Sequence, residues 1–220
     1  MSALLDVEAG RVVASRRQLD ALRWWALGRG DPDDPVIAEL TTAGILADGA
    51  VHPSVNPLVA TLGSVIARAA VRRWCRGRRP IVEVLVGTAG LLVLPGGHEI
   101  DAPQELRWHP RPTSVARLLA EVLGVPAHDG PPVFGAGHRP WAELVAAAGA
   151  PGGVALVDLR WSTRPGAPLT SVMVLAWAPD GGLVEIVPVD GRPGWVTCRP
   201  RHPLDVWTGL TSLCRQVTRD

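Results

Sequence analysis

LTSVMVLAWA-PDGG-LVEIVPV-DGRPG-WVTCRP-RHPLDVWTGLTSL, residues Leu169–Leu213, alternates apolar runs with turn residues and closes on a helical pattern. The first two runs flank Pro179-Asp180-Gly181-Gly182, residues that tolerate the positive φ of a tight hairpin. The third follows Gly194-Trp195. The closing helix has Pro203 near its start and Asp205 in its first turn, where the helix dipole favours an acid. Val206, Trp207, Leu210, Leu213, Cys214 and Val217 form its inward face. Strands joined in sequence by short turns make an antiparallel sheet, and the helices must bury their apolar stripes against it: an α+β fold.

A similar unit precedes it. Ile81–Gly87 and Leu91–Pro95 are rich in branched residues, with Thr88-Ala89-Gly90 as a hairpin connection. Gln104–His109 is a third strand, ended by Pro110 and Pro112. Thr113 or Ser114 caps a helix with Val115, Leu118, Leu119, Val122 and Leu123 on one face. ELRWHPRPTSVARLLAEVL aligns loosely with WVTCRPRHPLDVWTGLTSL. A degenerate duplication with a pseudo-twofold axis accounts for this, and so does chance similarity between two ordinary α+β units. The halves run from about 1 to 125 and from about 140 to 220 within one domain of 220 residues, with Pro126–Arg139 (PAHDGPPVFGAGHR) as a Pro/Gly linker.

Ahead of these units, Leu4–Ser15 is read as a strand or hairpin. Ser15 is an N-cap for a helix with Leu19, Leu22, Trp25 and Ala26 on one face. A short helix is expected at Val36–Ala43 and a longer one from about Ser54 to Trp74, with Val55, Leu58, Val59, Leu62, Ile66, Ala69 and Ala70 as its apolar side. A short helix at about Pro140–Ala148, a strand at Val154–Trp161 and a loop at Thr163–Pro168 lead into the opening stretch.

Composition narrows the chemistry. The hydrophobic fraction of 47% is that of a globular chain, and a net charge of +1 gives no global attraction to nucleic acid or anionic membrane. Every basic residue is arginine, which excludes an intact Walker A lysine. The Ala, Gly, Pro, Arg and Val bias is that of a GC-rich, actinobacterial type of genome. Cys75, Cys198 and Cys214 are odd in number and far apart, so reduced thiols are expected. No signal sequence and no apolar run long enough to span a bilayer is present, and the expected location is the cytoplasm.

The histidines His52, His98, His109, His128, His138 and His202 lack the local spacing of a zinc site; His98 with Asp101, and His128 with Asp129, could meet only by tertiary folding. Ser64 lies in a helical pattern and Ser114 at a helix start, and neither sits in the sharp turn of a hydrolase nucleophile. No catalytic, cofactor or metal residue is assigned. Arg68–Arg79 holds Arg68, Arg72, Arg73, Arg76, Arg78 and Arg79 around Trp74. Beside helices at 36–43 and 54–74 it gives an alternative reading, a helix-turn-helix-like DNA-binding regulator. The near-zero net charge and the lack of a second basic face weigh against it. Of the nine tryptophans, Trp161, Trp177 and Trp207 fall in core-like patterns, whereas Trp24, Trp108, Trp141 and Trp195 stand near element ends, where an interface anchor would sit.

The closing pattern, Gly194-Trp195-Val196-Thr197, Pro200 and the helix Leu204–Val217, resembles the EspG family of actinobacterial type VII (ESX) secretion systems. The N-terminal helix pair, AGILADG before a long helix, and the hairpin at 81–95 leading into Arg111–Leu123 follow the same order. The resemblance implies a central antiparallel sheet flanked by helices, in two quasi-twofold halves. It implies a cytoplasmic chaperone without enzymatic activity, binding the tip of PPE proteins in PE–PPE heterodimers and keeping them soluble for export. Family binding through a loop of the central sheet and a C-terminal helical bundle points, by order, to Thr88–Gly97 or Thr163–Pro168 and to Pro203–Val217. Trp195, Trp207, Leu210, Arg164 and Leu92 are the expected partner-binding residues, on a monomer or weak dimer. The chain is shorter than is usual in the family, and Val187–Pro193 lacks the aromatic residues common there, which leaves a WXG100-like helical substrate as another possible client.

Overall fold

The computed structural model describes residues 3–6, 11–74, 81–96, 104–110, 114–126, 130–150, 153–164 and 166–215. Cys75, Arg76, Arg78, Arg79, Gly97, His98, Asp101, Thr113, His128, Asp129 and Val217 lie outside them.

The elements follow in the order β1 (Leu4–Asp6), β2 (Arg11–Ala14), α1 (Arg16–Ala26), α2 (Pro35–Thr42), β3 (Leu46–Ala47), β4 (Ala50–Val51), α3 (Asn56–Gly63), β5 (Val65–Trp74), β6 (Ile81–Gly87), β7 (Gly90–Gly96), β8 (Gln104–Pro110), α4 (Val115–Leu123), β9 (Gly137–Pro140), α5 (Trp141–Gly149), β10 (Ala155–Ser162), β11 (Thr170–Trp177), β12 (Leu183–Pro188), β13 (Trp195–Arg201) and α6 (Pro203–Arg215). Eleven strands are hydrogen-bonded in the order β1-β2-β8-β7-β6-β5-β10-β11-β12-β13-β9, and β3 pairs with β4. This is the antiparallel α+β class that the hairpin-rich sequence implies. The succession of four strands and a helix occurs twice, as β5-β6-β7-β8-α4 and β10-β11-β12-β13-α6.

The chain forms two compact units, one of Met1–Arg68, Val82–Ser114 and Thr163–Gly166, the other of Ala69–Ile81, Val115–Ser162 and Ala167–Asp220. In the first, Ser15 caps α1 as expected. Its Oγ accepts from the Gln18 amide at 3.2 Å, while Gln18 Oε1 accepts from the Ser15 amide at 2.8 Å, a reciprocal capping box. Gln18 Nε2 also donates to Glu39 at 2.8 Å and so ties α1 to α2. Leu19 and Leu22 of α1, Val36, Ile37 and Leu40 of α2, and Leu58, Val59 and Leu62 of α3 share one core with Leu85, Leu92, Leu94 and Leu106 of the strands.

One expectation is overturned. The helix expected from Ser54 to Trp74 stops at Gly63, and Val65–Trp74 is the ten-residue strand β5. Gly63 and Ser64 end α3, and Ser64 Oγ secures the junction by donating to the Ala60 carbonyl at 2.6 Å and accepting from the Thr88 amide at 3.0 Å. Ala67, Ala69 and Val71 are buried along one face of β5, and Ala70 is buried on the other between the half-buried Arg68 and Arg72. The helix α3 ends before the arginines begin, so Arg68, Arg72 and Arg73 stand on a strand and not on the second helix of a helix-turn-helix. Two of these arginines are engaged within the fold: Arg68 is paired with Glu83, and Arg73 Nη2 donates to the Leu123 carbonyl at 2.8 Å.

In the second unit, α5 and Phe134 cover a core of Leu156, Ala176, Val184, Ile186, Val196 and Cys198. Gly209 of α6 lies against Met173 of β11, and α4 packs on α6. Gly137–Arg139, read from sequence as the end of a linker, and Pro140, read as the start of a helix, form the strand β9, paired with β13 from Trp195↔Pro140 to Cys198↔Gly137.

Candidate aromatic groove

The β12–β13 connection is built by local chemistry. The Trp195 amide donates to the Arg192 carbonyl at 3.1 Å, closing a turn with Pro193 second and Gly194 third. Gly194 has φ +78°, the conformation a type II turn demands and glycine supplies at no steric cost. The Gly194 carbonyl accepts from the Trp141 amide at 2.8 Å, at the first turn of α5. One turn therefore sets the position of two tryptophans. Trp74 meets Trp141 edge to face, with centroids 5.8 Å apart. Arg192 stacks its guanidinium over Trp195 at 5.6 Å, which stiffens a side chain 40% exposed to solvent.

These three tryptophans line a groove of about 380 Å³ with Val174, Ile186 and Val196. It is the part of the apolar sheet face that α5 leaves open. Its floor carries a polar cluster. Asp158, only 4% exposed, accepts from Arg160 Nε at 2.8 Å and from Ser171 Oγ at 2.6 Å. A register shift between Leu159 and Arg160 in the β10–β11 pairing places Ser171 opposite Arg160. The buried carboxylate thus has both oxygens satisfied, which its burial requires.

In the groove, Ser171 and Arg160 are both committed to the buried carboxylate. Ser171 donates straight to a carboxylate, and no histidine lines the groove among the described residues to take its proton. Among the described residues no cluster of His, Cys, Asp and Glu could hold a metal ion. Burial raises the pKa of Cys198, with Arg139 pulling in the opposite direction. Burial pushes that of Cys214 from 9.0 to about 11. Neither thiol is poised as a nucleophile.

The residues expected from sequence to bind a partner scatter over the fold. Trp195 is on the rim of the groove and Arg164 is exposed in the loop after β10. Trp207 is half-buried on α6. Leu92 and Leu210 are fully buried, in β7 and α6, and offer no surface for a partner to touch. Pairing with β8 and packing under α1–α3 turn Leu92 inward. Sequence reasoning missed Trp74 and the Asp158–Arg160–Ser171 cluster. The available signal was ALVDLRWS itself, where two charged residues two apart share one face of an otherwise apolar strand.

No protein-family model matches the chain, and no curated protein is similar to it. Among solved structures the chain is similar to the Mycobacterium tuberculosis type VII secretion system chaperone EspG5, solved in complex with a PE25–PPE41 dimer. The similarity covers 93% of this chain and 95% of that one, with a TM-score of 0.51 and 15% sequence identity. The fold is therefore EspG-like. No helix among the described residues is long and apolar enough to cross a membrane.

Proposed function

We propose that the chain is a non-enzymatic, cytoplasmic chaperone of a type VII secretion system, binding helical substrates such as PE–PPE heterodimers. The observation that carries this reading is a shared architecture over nearly the full length of both chains, since the matched structure is itself a chaperone holding such a dimer. The aromatic groove supplies a physical means. A helical tip presents apolar side chains at three- and four-residue spacing, and an apolar groove with a fixed aromatic rim accepts them. In this reading Trp195, with its area and pre-set rotamer, is the anchor, Arg164 and Trp207 are further contacts, and the working species is a monomer or weak dimer.

The test is co-expression with PE–PPE and WXG100-like dimers from the same genome, followed by size-exclusion chromatography and calorimetry. A stable complex is expected with one of them. Trp195→Ala should weaken it by about 2 kcal/mol, roughly thirtyfold, as loss of an aromatic hot spot does, while leaving the melting temperature near that of the parent. Failure of every such dimer to bind the folded parent protein would refute the proposal.

A further inference from the structure

In the first unit a separate recess of about 90 Å³ lies between α1 and the strands, and its walls are unusually charged for its size. Arg16, Asp20 and Arg23 fall on one stripe of α1, at the spacing that stacks side chains along a helix face. Arg68 of β5 faces them, and the apolar floor includes Leu62 and Leu85.

The charges do not cancel. Glu83 accepts from Arg16 Nη1 at 2.6 Å on one oxygen and from Arg68 Nε and Nη2 at 2.9 and 2.6 Å on the other, so one carboxylate serves two guanidinium groups. Asp20 stands 3.7 Å from Arg16, but it is more than half exposed and screened by water. Arg23 is left over. Its Nε is buried and meets no hydrogen-bond acceptor among the described residues. A buried donor of a charged group forfeits its hydration unless an acceptor replaces it.

We infer that this recess is a binding site for a single oxyanion group, a carboxylate or phosphate, held by Arg23 with support from Arg16 and Arg68. The planar guanidinium donates in a fork that matches a carboxylate or phosphate edge. The volume admits one such group with a short aliphatic stem against the leucine floor. Gly166, from the loop after β10, contributes to the wall. The group could arrive as a free anion or as the acidic side chain of a protein partner. The site does not depend on the chaperone reading.

Sodium phosphate, sodium acetate and N-acetyl-glutamate amide are titrated into the full chain at constant ionic strength, with sodium chloride as the blank. Binding is read from the arginine Nε–H resonances. Saturable shifts are expected at the Arg23 resonance with a dissociation constant of order 1 mM, fitting for so few contacting atoms. Arg23→Gln should weaken binding at least about tenfold, and Arg23→Lys, which keeps the charge but loses the fork, should weaken it too. Circular dichroism of both variants and an unchanged response of Leu27→Ala separate this from misfolding. Tighter binding of the glutamate amide than of acetate identifies a partner's acidic side chain as the source, and tighter binding of phosphate identifies a free anion. A response no larger than that to chloride, or Arg23→Gln binding like the parent, overturns the proposal.

Discussion

Asp158 shows how much a single side chain can hold in place. It is buried, charged, and the joint acceptor for Arg160 and Ser171 at the base of the groove. Asp158→Ala leaves a guanidinium partly buried without its counter-ion, and breaking such a pair from one side costs about 3 kcal/mol. Urea denaturation should show that loss, and a change below about 1 kcal/mol would mean that Arg160 simply turns to water. Cys214 gives a residue-scale prediction in pH. Its thiol is raised from 9.0 to about 11 by burial, so the unfolded chain releases this proton first as pH rises. The sign follows: its contribution to stability is complete below pH 9 and is lost between pH 9 and about 11. At pH 8 the native thiolate fraction is smaller by about a hundredfold than that of a free thiol, and alkylation should slow in proportion. Site-resolved mass spectrometry checks this, and labelling of native Cys214 at the rate of the denatured chain would contradict it.

At the scale of the element, β5 is the instructive case. VIARAAVRRW has alanines that favour helix and apolar residues three and four apart, so local pattern alone points to helix. The alternation of Ala67, Ala69 and Val71 on one face with Arg68 and Arg72 on the other is interrupted by the buried Ala70, which hides the period of two in the sequence. By contrast, PDGG and RPG announce their turns, because positive φ restricts composition whatever the surroundings. Gly90, at the start of β7, is required for a different reason, close approach. A Cβ there would stand 2.6 Å from both the His109 carbonyl oxygen and Trp108 Nε1. That indole donates to Thr61 Oγ1 at 3.0 Å, linking β8 to α3. Gly90→Ala should therefore cost about 2 kcal/mol through overpacking, read as a lowered melting temperature. A neutral outcome would show that the strand can shift to admit a methyl group.

For the whole molecule, the proposed chaperone reading rests on shape more than on reactive groups. On that reading a tryptophan-rich chain with a net charge of +1 would recognise its partner mainly by apolar contact. The complex with a helical dimer tests this at its proper scale: Trp195→Ala should act on the lifetime of the assembly, because hot-spot losses appear in the off-rate. A core accepts many apolar sequences of similar volume and pattern, so one fold is compatible with only 15% identity over nearly the full chain.

The sequence by itself determined the α+β class, the two runs of hairpins each followed by a helix, the Ser15 cap, and the turn that carries Trp195. These depend on period, capping and φ, which are local properties of neighbouring residues. Tertiary structure alone decided that Val65–Trp74 is a strand and that Leu92 is closed off from solvent. It also brought Trp74, Trp141 and Trp195 around one groove, and Arg16, Arg23 and Arg68 around one recess. Those outcomes depend on which surfaces remain to be covered once distant segments meet, and spacing along the chain does not encode that.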